Sequence, residues 1–248
     1  MYRLIKCELL KLKRQRAFII SIIITFIPII LGLFTFKANY SVFKEQNVND
    51  WLKGWGQVAM FYSPIIFPII ASIYCAMIFR VEYMNKNMKI ILSTPVSRKS
   101  LYISKFITAI LMVLFLQVIF GLTYFMVGKM YGITDPFPIS RIINILFFGW
   151  IGALPLISVQ MYLSLKYEEF TKSIMIASCF SLLGFFISSV KGLKYIWPWA
   201  IQKISMDISA SAGIQGIIPQ LSFTIYCLTF MVIINVIGIR KFDDGEVM

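Results

Sequence analysis

The sequence predicts an all-α integral membrane protein, and three observations predict it. The 248 residues are 59% hydrophobic and only 14% charged, with a mean hydropathy of +0.81, whereas soluble domains run near 45–50% apolar and about 25% charged. Six apolar runs are each long enough to cross the roughly 30 Å hydrocarbon layer, which takes about 20 residues of helix. Lys and Arg are distributed unevenly between alternate connecting segments. This composition excludes an ordinary soluble domain, a disordered chain and a nucleic-acid binder, despite the net charge of +13.

In chain order, the first element is a basic amphipathic segment, Met1–Arg16. Leu4, Ile5, Leu9 and Leu12 recur near helical spacing between Arg3, Lys6, Lys11 and Lys13, the pattern of an interfacial helix lying on a membrane surface. The six spans follow at about 17–36, 58–79, 106–127, 142–165, 174–190 and 221–239. None contains Asp, Glu, Lys or Arg; Gln117, Asn144, Gln160 and Asn235 are their strongest polar residues. The fifth run is the shortest and extends toward Lys172 and Ser173. The first run exceeds the 7–15 residues of a signal-peptide core and no A-x-A site follows it, so it reads as a retained span.

With both termini cytoplasmic, the cytoplasmic pieces hold 16 of the 24 Lys and Arg and the outer pieces hold 8. The charge excess is then a topology signal for a multi-pass plasma-membrane protein, aided by anionic lipid. The longest cytoplasmic connection, Arg80–Lys105, carries a rough apolar stripe of Tyr83, Met84, Met88, Ile91 and Leu92. This predicts a short amphipathic helix over 82–92, ended by Ser93-Thr94-Pro95 because proline disfavours helix at the residue before it. Ser97 then caps a helix running into the third span. A plain connecting hairpin is the alternative. The outer segments 37–57 and 191–220 are aromatic. The second is too long for a simple turn and predicts one or two short outer helices before the sixth span.

The chain has no histidine, which excludes Ser-His-Asp and Cys-His catalysis and imidazole metal sites. Cys7, Cys75, Cys179 and Cys227 show no CxxC spacing, so neither a disulfide framework nor a zinc site is implied. No GxxxxGK[ST] phosphate loop is present; Gly128-Lys129-Met130 lacks the hydroxyl residue. The chain is therefore expected not to be an enzyme and to bind no cofactor or metal itself.

Glu82, the mixed segment after it, and Ile91-Leu-Ser-Thr-Pro-Val-Ser-Arg98 resemble the loop between the second and third spans of ABC-2-type permeases. The layout of six spans, cytoplasmic termini and an N-terminal amphipathic helix is similar over residues 1–248, which then form a single ABC-2-type transmembrane domain. Lys194-Tyr-Ile-Trp-Pro-Trp199 is similar to a stretch in lantibiotic-immunity permeases, and bacitracin-resistance permeases are the other similar group. The resemblance implies an exporter subunit of a bacterial cell membrane, conferring immunity or resistance by expelling antimicrobial peptide. It implies two ABC ATPase subunits carrying ATP and Mg²⁺, and a second permease, identical or homologous. The helix 82–92 becomes a coupling helix, with Glu82, Tyr83, Met88, Ile91, Leu92, Pro95 and Arg98 facing the ATPase. Glu168 and Glu169 in the short loop 166–172 are a second ATPase contact, or else a solvated turn. Trp51, Trp55, Trp197 and Trp199 are candidate outer contacts for peptide cargo, or else interfacial anchors. A non-transporting anchor or sensor subunit, and export of another amphipathic or lipid-like cargo, remain open.

Overall fold

The computed structural model describes residues 1–12, 16–44, 48–83, 97–167, 169–190, 192–207 and 217–243. The regular elements among them are all helical: α1 (Tyr2–Leu12), α2 (Arg16–Ala38), α3 (Tyr40–Lys44), α4 (Asp50–Phe61), a π-helical turn (Tyr62–Ile66), α5 (Phe67–Tyr83), α6 (Arg98–Met130), α7 (Ile139–Lys166), α8 (Phe170–Ile187), α9 (Leu193–Ile196), α10 (Pro198–Asp207) and α11 (Ile217–Asp243). Six helical stretches are long and apolar enough to cross a membrane, at the six predicted places. Helix is the form that pairs the backbone within each segment where no water is available. Ser97 caps α6, its Oγ accepting from the Ser100 N–H at 3.2 Å. The fifth span begins at Phe170 and takes in Lys172 and Ser173.

The second span differs from expectation. Its helix begins at Asp50 rather than near Val58 and runs through α4, the π turn and α5 to Tyr83. Two prolines explain the π turn. Pro64 and Pro68 carry no N–H, so the i→i−4 ladder loses bonds there and widens. Pro68 leaves the Pro64 carbonyl without its helical donor, and Ser181 of α8 donates its hydroxyl to that oxygen at 2.5 Å. A defect in one span thus becomes a hydrogen bond to another.

Helix α7 is the hub, packing on α5, α6, α8, α10 and α11. Helix α10 answers the prediction of a short outer helix, but its Trp199, Ala200, Ile201, Gln202, Ile204, Ser205 and Met206 are buried against α7 and α8. Two glycines of α7 permit this. A methyl at Gly152 would fall 2.4 Å from Ser205 Oγ, and one at Gly149 would fall 3.0 Å from Met206 Cγ. Small residues let membrane helices approach where apolar burial alone supplies little drive. The outward faces of α2 (Ile19, Ile23, Ile27, Ile30, Phe34) and α11 (Leu221, Ile225, Leu228, Val232, Val236) are exposed and match hydrocarbon. The chain ends of the bundle share one face, since Arg98 at the start of α6 reaches the Phe242 carbonyl of α11 at 3.5 Å and α1 packs on α6. We call this the terminal face.

Gly152→Leu should displace α10 and cost about 1–3 kcal/mol by overpacking. Thermal melting in detergent measures it, and an unchanged Tm would contradict the close α7–α10 contact.

Candidate functional site at the terminal face

Four charged side chains from three elements meet at the terminal face. Lys105 of α6 has no exposed side-chain surface. Its ammonium donates to Glu82 Oε1 of α5 at 2.6 Å, to Glu8 Oε2 of α1 at 3.0 Å and to the Ile78 carbonyl at 3.5 Å. Lys11 of α1 donates to Glu8 Oε1 at 2.7 Å and to Glu82 Oε1 at 3.3 Å. Glu8 and Glu82 are 3% and 1% exposed. The cluster holds two cations and two anions and is neutral, which lets it be buried at all. Phe79 lies beneath the Lys105 ammonium, 5.6 Å from ring centroid to Nζ.

Local sequence places each group. On α1, Glu8 lies at i, i+4 spacing between Leu4 and Leu12, so the helix turns its one acid inward with its apolar stripe. On α6, Leu101, Lys105, Thr108 and Met112 form one buried face. On α5, Glu82 follows Ile78 by one turn, on the buried side. Burial pulls the Lys11 pKa down, but the hydrogen bonds and charges of Glu8 and Glu82 outweigh it and hold the pKa above the usual 10.5.

Glu82 therefore differs from its expected position. It lies in the last described turn of the helix that forms the second span, continuous with Phe67–Tyr83, and its Oε1 faces two lysines of its own chain. Glu82 is 1% exposed and pairs with Lys105 and Lys11, two partners within its own chain that the sequence reading did not foresee. Tyr83, next along, is partly buried and donates its hydroxyl to the Leu165 carbonyl at the end of α7, 3.0 Å away. Arg98 bonds α11 as described. Glu169 is exposed and pairs with Lys172 at 2.8 Å within its own turn. Met84, Met88, Ile91, Leu92, Pro95 and Glu168, with most of the expected helix 82–92, lie outside the described residues.

The predicted outer aromatic set also lies differently. Trp51 and Trp55 are fully buried, Trp199 is 2% exposed, and Trp197 is partly buried with its indole N–H on the Phe180 carbonyl at 3.2 Å. Trp51 packs against Phe137 and Tyr124, with ring centroids 4.9 and 5.8 Å away, and donates Nε1–H to the Asp135 carbonyl at 3.0 Å. Trp55 packs edge-on to Tyr124 and Phe120. Asp135 also accepts from the Asp50 N–H at 2.8 Å, and Asn49 Oδ1 accepts from the Trp51 N–H at 2.9 Å. These anionic and polar oxygens cap the positive end of α4. Trp51 thus holds the loop 131–138 onto the bundle from inside, Trp55 packs within the bundle against α6, and neither presents surface to cargo in this conformation. Nearby, the Asp50 carboxylate accepts from the Tyr40 hydroxyl and, by that hydrogen bond and its charge, raises the Tyr40 pKa.

The sequence reading missed Glu8, Lys11 and Lys105 as site residues. The signal was present: a charged residue at i, i+4 inside an apolar stripe on α1 and again at the mouth of the third span. Among the described residues, no group of three or more His, Cys, Asp or Glu is placed to hold a metal.

The sequence model of the family described as ABC-2 family transporter protein matches residues 4–188. The chain belongs to the ABC-2 transporter family. No curated protein and no solved structure matches it. The match runs from α1 through α8, so all four residues of the ion cluster lie inside the family region. An ABC-2 permease is the membrane subunit of an ABC transporter, is not itself catalytic, and associates with ABC ATPase subunits.

Lys105→Met leaves Glu82 and Glu8 buried with only the half-exposed Lys11 beside them and should cost about 3–5 kcal/mol. Glu82→Gln combined with Lys105→Met leaves the Glu8–Lys11 pair balanced and should recover most of that loss. Denaturation in detergent checks both, and additive losses would contradict a shared cluster. The sign for Lys11 follows from its raised pKa: its stabilising contribution is complete below about 10.5 and is lost as pH rises through the higher folded value. Limited proteolysis of α1 should therefore accelerate as pH rises beyond roughly 10.5, where Lys11 loses its charge.

Proposed function

We propose that this permease belongs to an ATP-driven exporter that removes antimicrobial peptide, of the lantibiotic or bacitracin kind, from a bacterial plasma membrane and so gives resistance. The observation that carries the transport reading is the buried cluster of Glu8, Lys11, Glu82 and Lys105. It lies at the end of α5 from which the chain continues into residues 84–96, where the family resemblance puts the contact with the ATPase. The terminal face is then cytoplasmic, in keeping with its 16 of 24 Lys and Arg.

Mechanism follows from the clamp. Two ATPases closing on ATP and Mg²⁺ push on residues 84–96 of each permease in a homodimer or heterodimer. The push enters α5 at Tyr83 and Glu82. A neutral, desolvated cluster is costly to open, so α1, α5 and α6 move together as one body. Tyr83 bonded to the Leu165 carbonyl and Arg98 bonded to the Phe242 carbonyl spread the same movement to α7 and α11. The spans present no carboxylate in their middle portions for a proton or sodium relay, which suits an amphipathic cargo handled by apolar surfaces.

Two experiments test this. Cys placed at Asn49 or Ser209 should react with an impermeant reagent from outside, and Cys at Lys89 or Asp244 should not; labelling of the latter pair inverts the topology. In nanodiscs, the purified permease alone should hydrolyse no ATP. The complex with its ATPase should hydrolyse it, and a panel of lantibiotics and bacitracin should raise that rate. A rate indifferent to every peptide, with unchanged peptide sensitivity of cells lacking the chain, would overturn the cargo assignment.

A further inference from the structure

Helix α1 turns Glu8 and Leu12 into the bundle, where they are 3% and 5% exposed. Its opposite face has no cover. Tyr2, Lys6 and Leu9 stand at i, i+4 and i+7, and Arg3, Lys6 and Leu10 at i, i+3 and i+7, so these five share one face. Tyr2, Leu9 and Leu10 are 78%, 40% and 57% exposed. Arg3 and Lys6 are exposed as well, and neither has a hydrogen-bond or ion-pair partner among the described residues.

The ion cluster fixes the sign of this face. Residues 1–16 hold six Lys and Arg and a single acid, Glu8. Lys11 and Lys105 take both oxygens of that acid and bury it. What α1 turns outward is therefore cationic and apolar, with no carboxylate of its own to neutralise it. Two attachments fix its depth. Lys105, which binds Glu8, immediately precedes the apolar run of the third span, and α2 begins at Arg16, four residues after Leu12. Helix α1 thus lies where two spans enter the hydrocarbon, at the level of lipid phosphate and glycerol groups.

Charge and depth together name the partner. Basic residues next to a span attract anionic lipid, and long cationic side chains reach phosphate while their neighbours bury apolar surface below it. Tyr, Leu and Leu interleaved with Arg and Lys on one face suit that boundary. We infer that the outward face of α1 binds anionic phospholipid, with Arg3 and Lys6 pairing with the phosphodiester and headgroup charge and Tyr2, Leu9 and Leu10 seated among the first acyl carbons. Because Glu8 ties α1 to Lys105 of α6, lipid bound here is bound to the joined body of α1, α5 and α6 and not to a loose anchor.

The test uses the full transporter complex in nanodiscs of equal phosphatidylglycerol and phosphatidylcholine, with a benzophenone amino acid in place of Tyr2 or Leu10 and mass spectrometry of the adducts. Phosphatidylglycerol adducts should predominate. Arg3→Gln and Lys6→Gln should each lower the ratio of phosphatidylglycerol to phosphatidylcholine adduct about fivefold, the factor one cation near an anionic surface supplies, without lowering Tm. Lys129→Gln at the opposite face should leave the ratio unchanged. A ratio equal to the bulk composition, or one that neither substitution moves, reduces α1 to a plain interfacial anchor and overturns the inference. Adducts with the ATPase in place of lipid identify a protein-docking face and also overturn it. Both leaflets of a nanodisc carry the same lipids, so the result depends neither on which way the chain faces nor on its cargo, and failure of the export reading leaves this inference standing.

Discussion

The burial of the Lys105 ammonium between Glu82 and Glu8 is the constraint on which the terminal face depends. An unpaired ammonium there would be prohibitive, so both carboxylates must be present, and they come from α5 and α1. Glu8 lies 97 residues from Lys105 in the chain. The surface helix α1 is consequently an integral part of the bundle and cannot drift on the membrane independently. Lys11 completes charge balance from the half-exposed side.

At the opposite face the same problem of ordering a connection is solved with aromatic packing and helix caps. Trp51 fills the space under loop 131–138 and Trp55 packs beside it on Phe120 and Tyr124, while Asp135 and Asn49 serve the N-terminal amides of α4. The bundle is thus tied at both ends, by ions on one face and by rings and caps on the other. Between them α7 accepts α10 through Gly149 and Gly152.

The spans were legible in the sequence because hydrocarbon thickness demands a run length no soluble helix needs, and no charge interrupts the runs. Ser97 as a helix cap was legible because capping is a local interaction. The role of Glu82 was not, since a carboxylate in a basic loop looks solvated until its partners are known, and those partners come from α1 and α6. Trp51 and Trp55 read as interfacial anchors or cargo contacts by residue type, but their burial depends on distant partners, Asp135 and Phe137 for Trp51 and Phe120 and Tyr124 for Trp55. Glu8 and Lys105 left a trace in the i, i+4 pattern, where each charged residue stands on an otherwise apolar stripe. A charge on an apolar stripe in such a chain marks a partner across the bundle.

The central claim is that α1, α5 and α6 travel as one body through the ATP cycle. Spin labels at Lys6 on α1 and Ser100 on α6, in the full complex with the other exposed cysteines removed, measure it by double electron–electron resonance. The account predicts one narrow distance distribution that is the same with and without bound ATP. A distance between α1 and α6 that shifts when ATP binds would contradict it.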